Sequence, residues 1–244
     1  MTLRSSADVG FILLAGYDIM GLITDMAEQT EAVLEQSDGL GASGDEHTAV
    51  GMTKFDVSFD GFYDDTLIRL IEALSGEQVL MYSLIGNTIG QQFVGVNALR
   101  STITRGPSRD SLTKAQMAFK SDEGPERGQI GAAHGTVTDV GPTEGTSDNW
   151  GVGNAPSTNG GVGYVTCTAL TLDGGTALQI IIKDSDDDIT FVDLITFTAI
   201  TSAPAAERKT VAGNVERYTL TEYEFTGSAG ASRTATFAAG LVRS

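Results

Sequence analysis

The sequence predicts an all-β protein with one short helix, and three observations lead there. The first is composition. Thirty glycines among 244 residues, with abundant threonine, serine and valine, favour strands broken by many turns. The second is the stretch 54–60, where Phe55, Val57 and Phe59 alternate with Lys54, Asp56, Ser58 and Asp60. A period of two puts the apolar side chains on one face and the polar ones on the other, as in a half-buried strand. The third is the C-terminal part, where strand-length apolar runs are separated by turn residues at short, even spacing, as in a β-sandwich.

In chain order, residues 9–14 (VGFILL) form a first strand, ended by Gly16 and Asp18. Residues 22–36 fit two patterns: Met26, Thr30, Val33 and Leu34 suit a helix, and alternating Ala32 and Leu34 suit a strand. Residues 36–51 are glycine-rich and polar and are expected to form a long loop, of a length that is usually functional or mobile. After the central strand, Gly61 breaks the alternation. Asp64 or Asp65 then caps a helix with Leu67, Leu70, Ile71 and Leu74 on its apolar stripe, at the i, i+3, i+4, i+7 spacing of an amphipathic helix. Strand and helix are expected to share one core through Phe55, Val57, Phe59 and that stripe. Residues 79–85, 91–99 and 111–122 are further strands.

Residues 141–163 are rich in Gly, Pro, Ser, Thr and Asn and are expected to link a first domain, 1–140, to a second, 164–244. Trp150, within that stretch, is expected to dock against a neighbouring domain. In the second domain the runs YVTCTAL, ALQIIIK, ITFVDLITFTAI, RKTVAG, VERYTLTEYEF and RTATFAAGLV are the strands.

Charge narrows the function. With 32 acidic against 15 basic residues the formal net charge is −17, spread along the chain, and such a surface repels nucleic-acid phosphates. One cysteine excludes an intrachain disulfide framework, and Cys167 alternates with Val165 and Ala169 as an inert core thiol. No basic segment followed by a long apolar run marks a secretion signal, and no membrane span is expected. In KDSDDDITF, Asp184, Asp186 and Asp188 resemble the opening of a calcium loop. Ile189 stands where the tight-turn glycine is needed and Ile195 where the bidentate glutamate is needed, so the stretch reads as a solvated turn. His47 and His134 have no companion ligands at metal spacing and read as surface histidines. No G-x-S-x-G elbow is present. No catalytic residue, metal or cofactor is expected.

Three stretches carry a family resemblance: GLGASGDEHTAVGMTKFDVSFDGFYDD, LTKAQMAFKSDEGPERGQI, and KDSDDDITFVDLITFTAITSAPAAERKTVAGNVERYTL. Together they resemble the tail tube (major tail) proteins of long-tailed, non-contractile bacteriophages. There a glycine-rich acidic loop leads into an alternating strand and a Gly-Phe-Tyr-Asp-Asp-like turn. The C-terminal motifs are W-x-D-L and R-x-x-V-x-G-x-V-x-R-Y. Here Phe191 takes the aromatic slot, followed by Asp193 and Leu194, and Arg208, Val211, Gly213, Val215, Arg217 and Tyr218 fill the second motif.

The resemblance implies a tail-tube-like β-sandwich or barrel followed by a second β-sandwich-like domain. It also implies a non-enzymatic virion protein, assembled in the host cytoplasm, whose rings stack into the conduit for DNA ejection. The rings would be hexamers, or trimers imitating six-fold symmetry if the second domain is a further tube lobe. External decoration by the second domain is the preferred reading, because the strand–turn–helix of residues 54–76 has no copy after residue 160. Partners would be further copies of the chain, the tape measure, tail-tip and terminator proteins, and DNA passing without specific binding. Asp56, Ser58 and Asp60 are expected to face the lumen. Asp38, Leu40, Asp45, Glu46 and His47 are expected to order against the next ring. Two rivals are a β-sandwich adhesion or decoration module of a virion and a metal-dependent hydrolase using the Asp184–Asp188 cluster. The first would want exposed aromatics on a sheet, for which 7% aromatic residues and one tryptophan give thin support, and the second lacks ligands.

Overall fold

The structure, a computed structural model, describes residues 9–37, 47–62, 64–106, 113–139, 145–146, 155–227 and 232–244. Its elements begin with β1 (Phe11–Leu14), β2 (Tyr17–Asp18), a 3-10 turn (Met20–Leu22), β3 (Ile23–Ser37), β4 (His47–Phe62) and α1 (Asp65–Ala73). There follow β5 (Glu77–Ser83), β6 (Gln92–Gly106), β7 (Lys114–Ser121), β8 (Glu126–Asp139) and β9 (Gly145–Thr146). The chain ends with β10 (Gly161–Thr171), β11 (Gly175–Ser185), β12 (Val192–Thr196), β13 (Ala205–Val211), β14 (Tyr218–Gly227) and β15 (Arg233–Arg243). Among the described residues the protein is all-β apart from one short α-helix and a 3-10 turn. No helix among the described residues is long and apolar enough to cross a membrane.

The chain folds as two compact units. One comprises Met1–Met20, Val79–Gly95 and Glu126–Ser244, and so draws residues from both sides of the expected linker. Its large sheet runs β13-β10-β15-β8-β6-β5-β1-β2, and a smaller sheet runs β12-β11-β14-β9. Residues 161–163, placed in the linker from sequence, begin β10 and pair with both β13 and β15. Trp150 lies outside the described residues.

The two sheets share a core. Val165 and Cys167 of β10 and Phe237 and Leu241 of β15 pack with Leu178, Ile180 and Ile182 of β11 and Phe225 of β14. Each such side chain contributes about 1.5–3 kcal/mol on burial. The opposite face of the large sheet holds a second core of Phe11, Leu13, Met81, Phe93, Ile130, Val162 and Tyr164. Two glycines make room there. A Cβ at Gly95 would lie 2.6 Å from the Tyr164 ring, and one at Gly240 would lie 2.4 Å from Phe93. Both rings therefore pack against bare backbone, and they meet edge to face at 5.7 Å.

The other unit comprises Gly21–Gln78 and Val96–Pro125. It is a sheet in the order β3-β4-β7-β6, antiparallel at every pairing, with α1. Two sequence expectations change here. Residues 22–36, open between helix and strand, form most of β3. Both ends of the expected loop 36–51 are strand, because Gln36 and Ser37 pair with Thr48 and His47, and Leu34 pairs with Val50. Polar residues extend both strands because each backbone group finds its partner across the ladder, whatever the side chain.

Candidate assembly surface

The β3-β4-β7-β6 sheet has two unlike faces, and the alternation in β4 sets them. Phe55, Val57 and Phe59 are buried. Across β7, Val57 is level with Phe119 and Phe59 with Met117, both buried, and the Phe59 and Phe119 rings meet edge to face at 6.0 Å. Helix α1 covers this face. Arg100 of β6 is level with Phe119, and its guanidinium donates to the Ile71 carbonyl at 2.5 Å. Further along the same strand, Arg105 pairs with Glu72 of the helix.

Those two arginine contacts set the rotation of α1 and correct one expected core residue. The helix buries Ile68 and Ile71 completely, while Leu70 is 42% exposed. Leu74 is half-buried, and Leu67 lies in the helix outside the described side chains. With Ile71 turned inward, Leu70 is about 100° away around the helix, at the edge of the buried stripe. Ile68 was the missed residue, and its i, i+3 spacing to Ile71 was the available signal. The helix begins after Asp64, whose carbonyl accepts the Ile68 N–H at 3.0 Å.

The other face is mostly polar and lies open within the unit. Its side chains form cross-strand rows: Gln29, Asp56, Lys120 and the exposed Leu99; Ala27, Ser58, Ala118 and Thr102; Asp25, Asp60, Gln116 and Thr104. Asp56, Ser58 and Asp60 therefore share a face, opposite the helix. The charges largely balance. Lys120 lies 3.5 Å from Asp56, both well exposed, and Lys54 stands opposite Glu31. Exposed pairs of this kind contribute little stability, but they offset the acidity expected of the face. Two shallow clefts mark it, one of about 490 Å³ bordered by Asp25, Asp60, Lys114 and Gln116, the other of about 310 Å³ beside Asp56 and Lys120.

The edge of this sheet at β3 is its second property. Among the described residues β3, fifteen residues long, pairs only with β4, whereas β6 pairs with β7 here and with β8 and β5 in the large sheet. Long unpaired edges are templates for pairing with another chain. Asp38, Leu40, Asp45 and Glu46 lie outside the described residues, and His47 begins β4.

The remaining candidates resolve into structure. Asp184 is buried and accepts the Glu216 N–H at 2.8 Å, and burial holds its pKa above the ordinary value. Asp187 accepts the N–H groups of Thr190 and Ile189, which hold its carboxyl below the usual range. The aspartates thus form a braced turn between β11 and β12, and no group of three metal-ligating side chains occurs among the described residues. His134 is half-buried, a departure from the expected surface position, with its ring 3.3 Å from the Thr168 hydroxyl. Cys167 is fully buried, and desolvation pushes its thiol up to about 11.

The C-terminal motif residues have structural work. Arg208 of β13 donates from Nε and Nη2 to both oxygens of Glu126, at 2.9 and 2.6 Å. The Tyr164 hydroxyl donates to the same carboxylate. Burial, then the Glu126 contact, raise the Tyr164 pKa well above its ordinary value. The hydrogen bond to Glu126 does the same for Arg208. Glu126 was not singled out from the sequence, since it lies 82 residues from Arg208. Gly213 sits at φ +94°, a left-handed conformation that favours glycine, Val215 is buried, and Arg217 stacks over the Tyr218 ring at 5.4 Å.

No protein-family model matches the chain, and no curated protein sequence matches it. Among solved structures, it is similar to a chain in the virion of a native gene transfer agent particle, with 14% identity and a TM-score of 0.36, covering 50% of this chain and 97% of that one. It is similar to a chain in the tail of an empty gene transfer agent particle, refined helically with C6 symmetry, with 13% identity and a TM-score of 0.38 over the same shares. The Dit protein of phage SPP1, described as a paradigm of the hub adsorption apparatus in phages infecting Gram-positive bacteria, matches at 12% identity and a TM-score of 0.31, covering 95% of this chain and 98% of that one. These superpositions are loose, and none assigns a role to this chain.

Proposed function

We propose that this chain is a structural, non-enzymatic protein of a phage-type virion tail, and that its copies join edge to edge into rings that stack as a tail tube. The observation that carries the reading is the open edge of the four-stranded sheet at β3, which among the described residues pairs only with β4. An edge fifteen residues long offers its outward N–H and C=O groups to a strand of the next copy, and head-to-tail pairing of that kind repeats about a ring axis until the ring closes. The helix-covered face of this sheet is its apolar side, and the face bearing Asp56, Ser58 and Asp60 lines the channel. Phosphate contacts by unpaired Lys and Arg hold DNA. The lysines here stand beside carboxylates, which suits passage without adsorption. The sequence motifs around residues 39–65 and 183–220 support the same assignment. Further copies, tape-measure, tail-tip and terminator proteins are the partners, and the virion is the location.

Negative-stain electron microscopy of the purified protein tests the reading. Rings or hollow polymers are expected, and their rotational symmetry separates hexamers from trimers. A particle that stays monomeric across concentration and salt, in microscopy and in sedimentation, overturns it.

A further inference from the structure

We propose that Glu207 and Lys209 form a clamp that closes the β12 edge of the small sheet against strand pairing with a second copy of the chain. The small sheet ends at β12 and the large sheet at β13, and among the described residues each of these strands pairs with one neighbour, β11 and β10. Just past β12, the Phe197 N–H donates to the Ile180 carbonyl at 3.1 Å, toward β11. Backbone groups alternate in direction along an antiparallel strand, so those of Thr196 and Thr198 point away from β11, to the open side.

Two side chains of β13 occupy those outward groups. The Glu207 carboxylate accepts the Thr198 N–H at 2.7 Å with Oε2 and the Thr198 hydroxyl at 3.2 Å with Oε1. The Lys209 ammonium donates to the Thr196 carbonyl at 2.6 Å. Glu207 and Lys209 are two apart in β13 and so share a face, while Arg208 between them turns to the opposite face and to Glu126. The two edge strands do not pair with each other among the described residues. A cleft of about 440 Å³, bordered by Thr198, Ala199, Ala206 and Glu207, separates the chain after β12 from β13. Long side chains, rather than a backbone ladder, span that gap.

The consequence is steric and electrostatic. A strand added to a sheet lies about 4.8 Å from its neighbour, so a strand joining β12 would need the lane that the carboxylate and the ammonium fill. It would also need the donor and the acceptor that they already use. Displacing them without new partners leaves two charges desolvated at the joint. An unguarded edge is a template for another chain, and a second copy is the chain that meets it whenever copies gather. The clamp closes β12 whether or not copies join through β3, so this inference does not rest on the tube reading.

The test uses the full chain at low concentration, with Glu207→Ala and Lys209→Ala combined. Amide exchange followed by NMR should show the Thr198 N–H exchanging about tenfold faster or more once the carboxylate is gone. Sedimentation velocity should show association at a concentration at least about tenfold below that of the wild type. Adding Thr196→Pro, at an exposed position, removes an outward N–H from the edge and should restore the wild-type value. Lys209→Met keeps the stem of an exposed side chain and removes only the donor. It should shift association in the same direction, and it decides the matter if the double variant loses its native spectrum. Unchanged exchange at Thr198 in the double variant, unchanged association, or association that Thr196→Pro does not reverse each overturns the proposal. Because every comparison is with the wild type, a wild type that forms no rings refutes the tube reading and leaves this test intact.

Discussion

At the scale of single residues, Phe59 and Leu70 have opposite expected costs. Phe59 is fully buried against Phe119, whereas Leu70 is 42% exposed. Phe59→Ala should cost about 3–5 kcal/mol through lost burial and a residual cavity, and Leu70→Ala less than about 1 kcal/mol. Urea denaturation of the two variants checks this, and equal losses would mean that the helix rotates its Leu70 face inward. His134 supplies a pH signature. Burial holds its pKa below 6.5, against the opposing charge of Asp18. As pH falls below about 6.5, the unfolded chain therefore takes the proton first. Stability from this site is complete above that pH and declines toward the folded pKa. The stability difference between wild type and His134→Gln should shrink between pH 7.5 and pH 5.5. A difference that stays constant would show that the ring is not desolvated.

At the scale of elements, two arrangements make separate predictions. Glu126, Tyr164 and Arg208 tie β8, β10 and β13 together on one face of the large sheet. The ion-pair side chains are only 18% and 22% exposed. Arg208→Ala leaves the Glu126 carboxylate largely enclosed without its cation, and should lower stability by about 2–4 kcal/mol. Adding Glu126→Gln should recover part of that loss in a double-mutant cycle, and strict additivity would show that the two groups are not coupled. For the β3 edge, alternate N–H groups point toward β4 and away from it. Proline placed singly at Ala27, Glu28, Gln29, Thr30 and Glu31 should therefore fall into two classes. One class breaks the β4 ladder and destabilises the subunit. The other leaves a folded subunit that no longer assembles, because the outward donor is gone. If every folded variant still forms rings, β3 is not the joining edge.

At the scale of the whole molecule, a net charge of −17 opposes association. Repulsion between copies is screened over about 10 Å at 0.1 M ionic strength. Assembly should therefore require less protein as salt rises from about 0.05 to 0.5 M, as light scattering would report. The opposite trend would place the dominant contacts in exposed ion pairs rather than in strand ladders and apolar surface.

What the sequence determined by itself was local. The alternation through Phe55, Val57 and Phe59 settles which face of β4 is buried, because side-chain direction in a strand depends only on the neighbouring residues. The all-β class, the turn between β11 and β12 and the buried thiol of Cys167 were legible for the same reason, each following from short-range pattern and residue chemistry, while the burial of Asp184 in that turn was not. The tertiary structure decided what depends on distant partners. Residues 22–36 become a strand because β4 offers them a ladder, not because their own periodicity demands it. The rotation of α1, and with it the fate of Leu70, follows from Arg100 and Arg105 on a strand nearly thirty residues or more away in sequence. Glu126 meets Arg208, and Gln129 meets Leu241, only because β8 inserts between β15 and β6. Strand order of that kind rests on long-range backbone pairing, for which a linear pattern of side chains carries no signal.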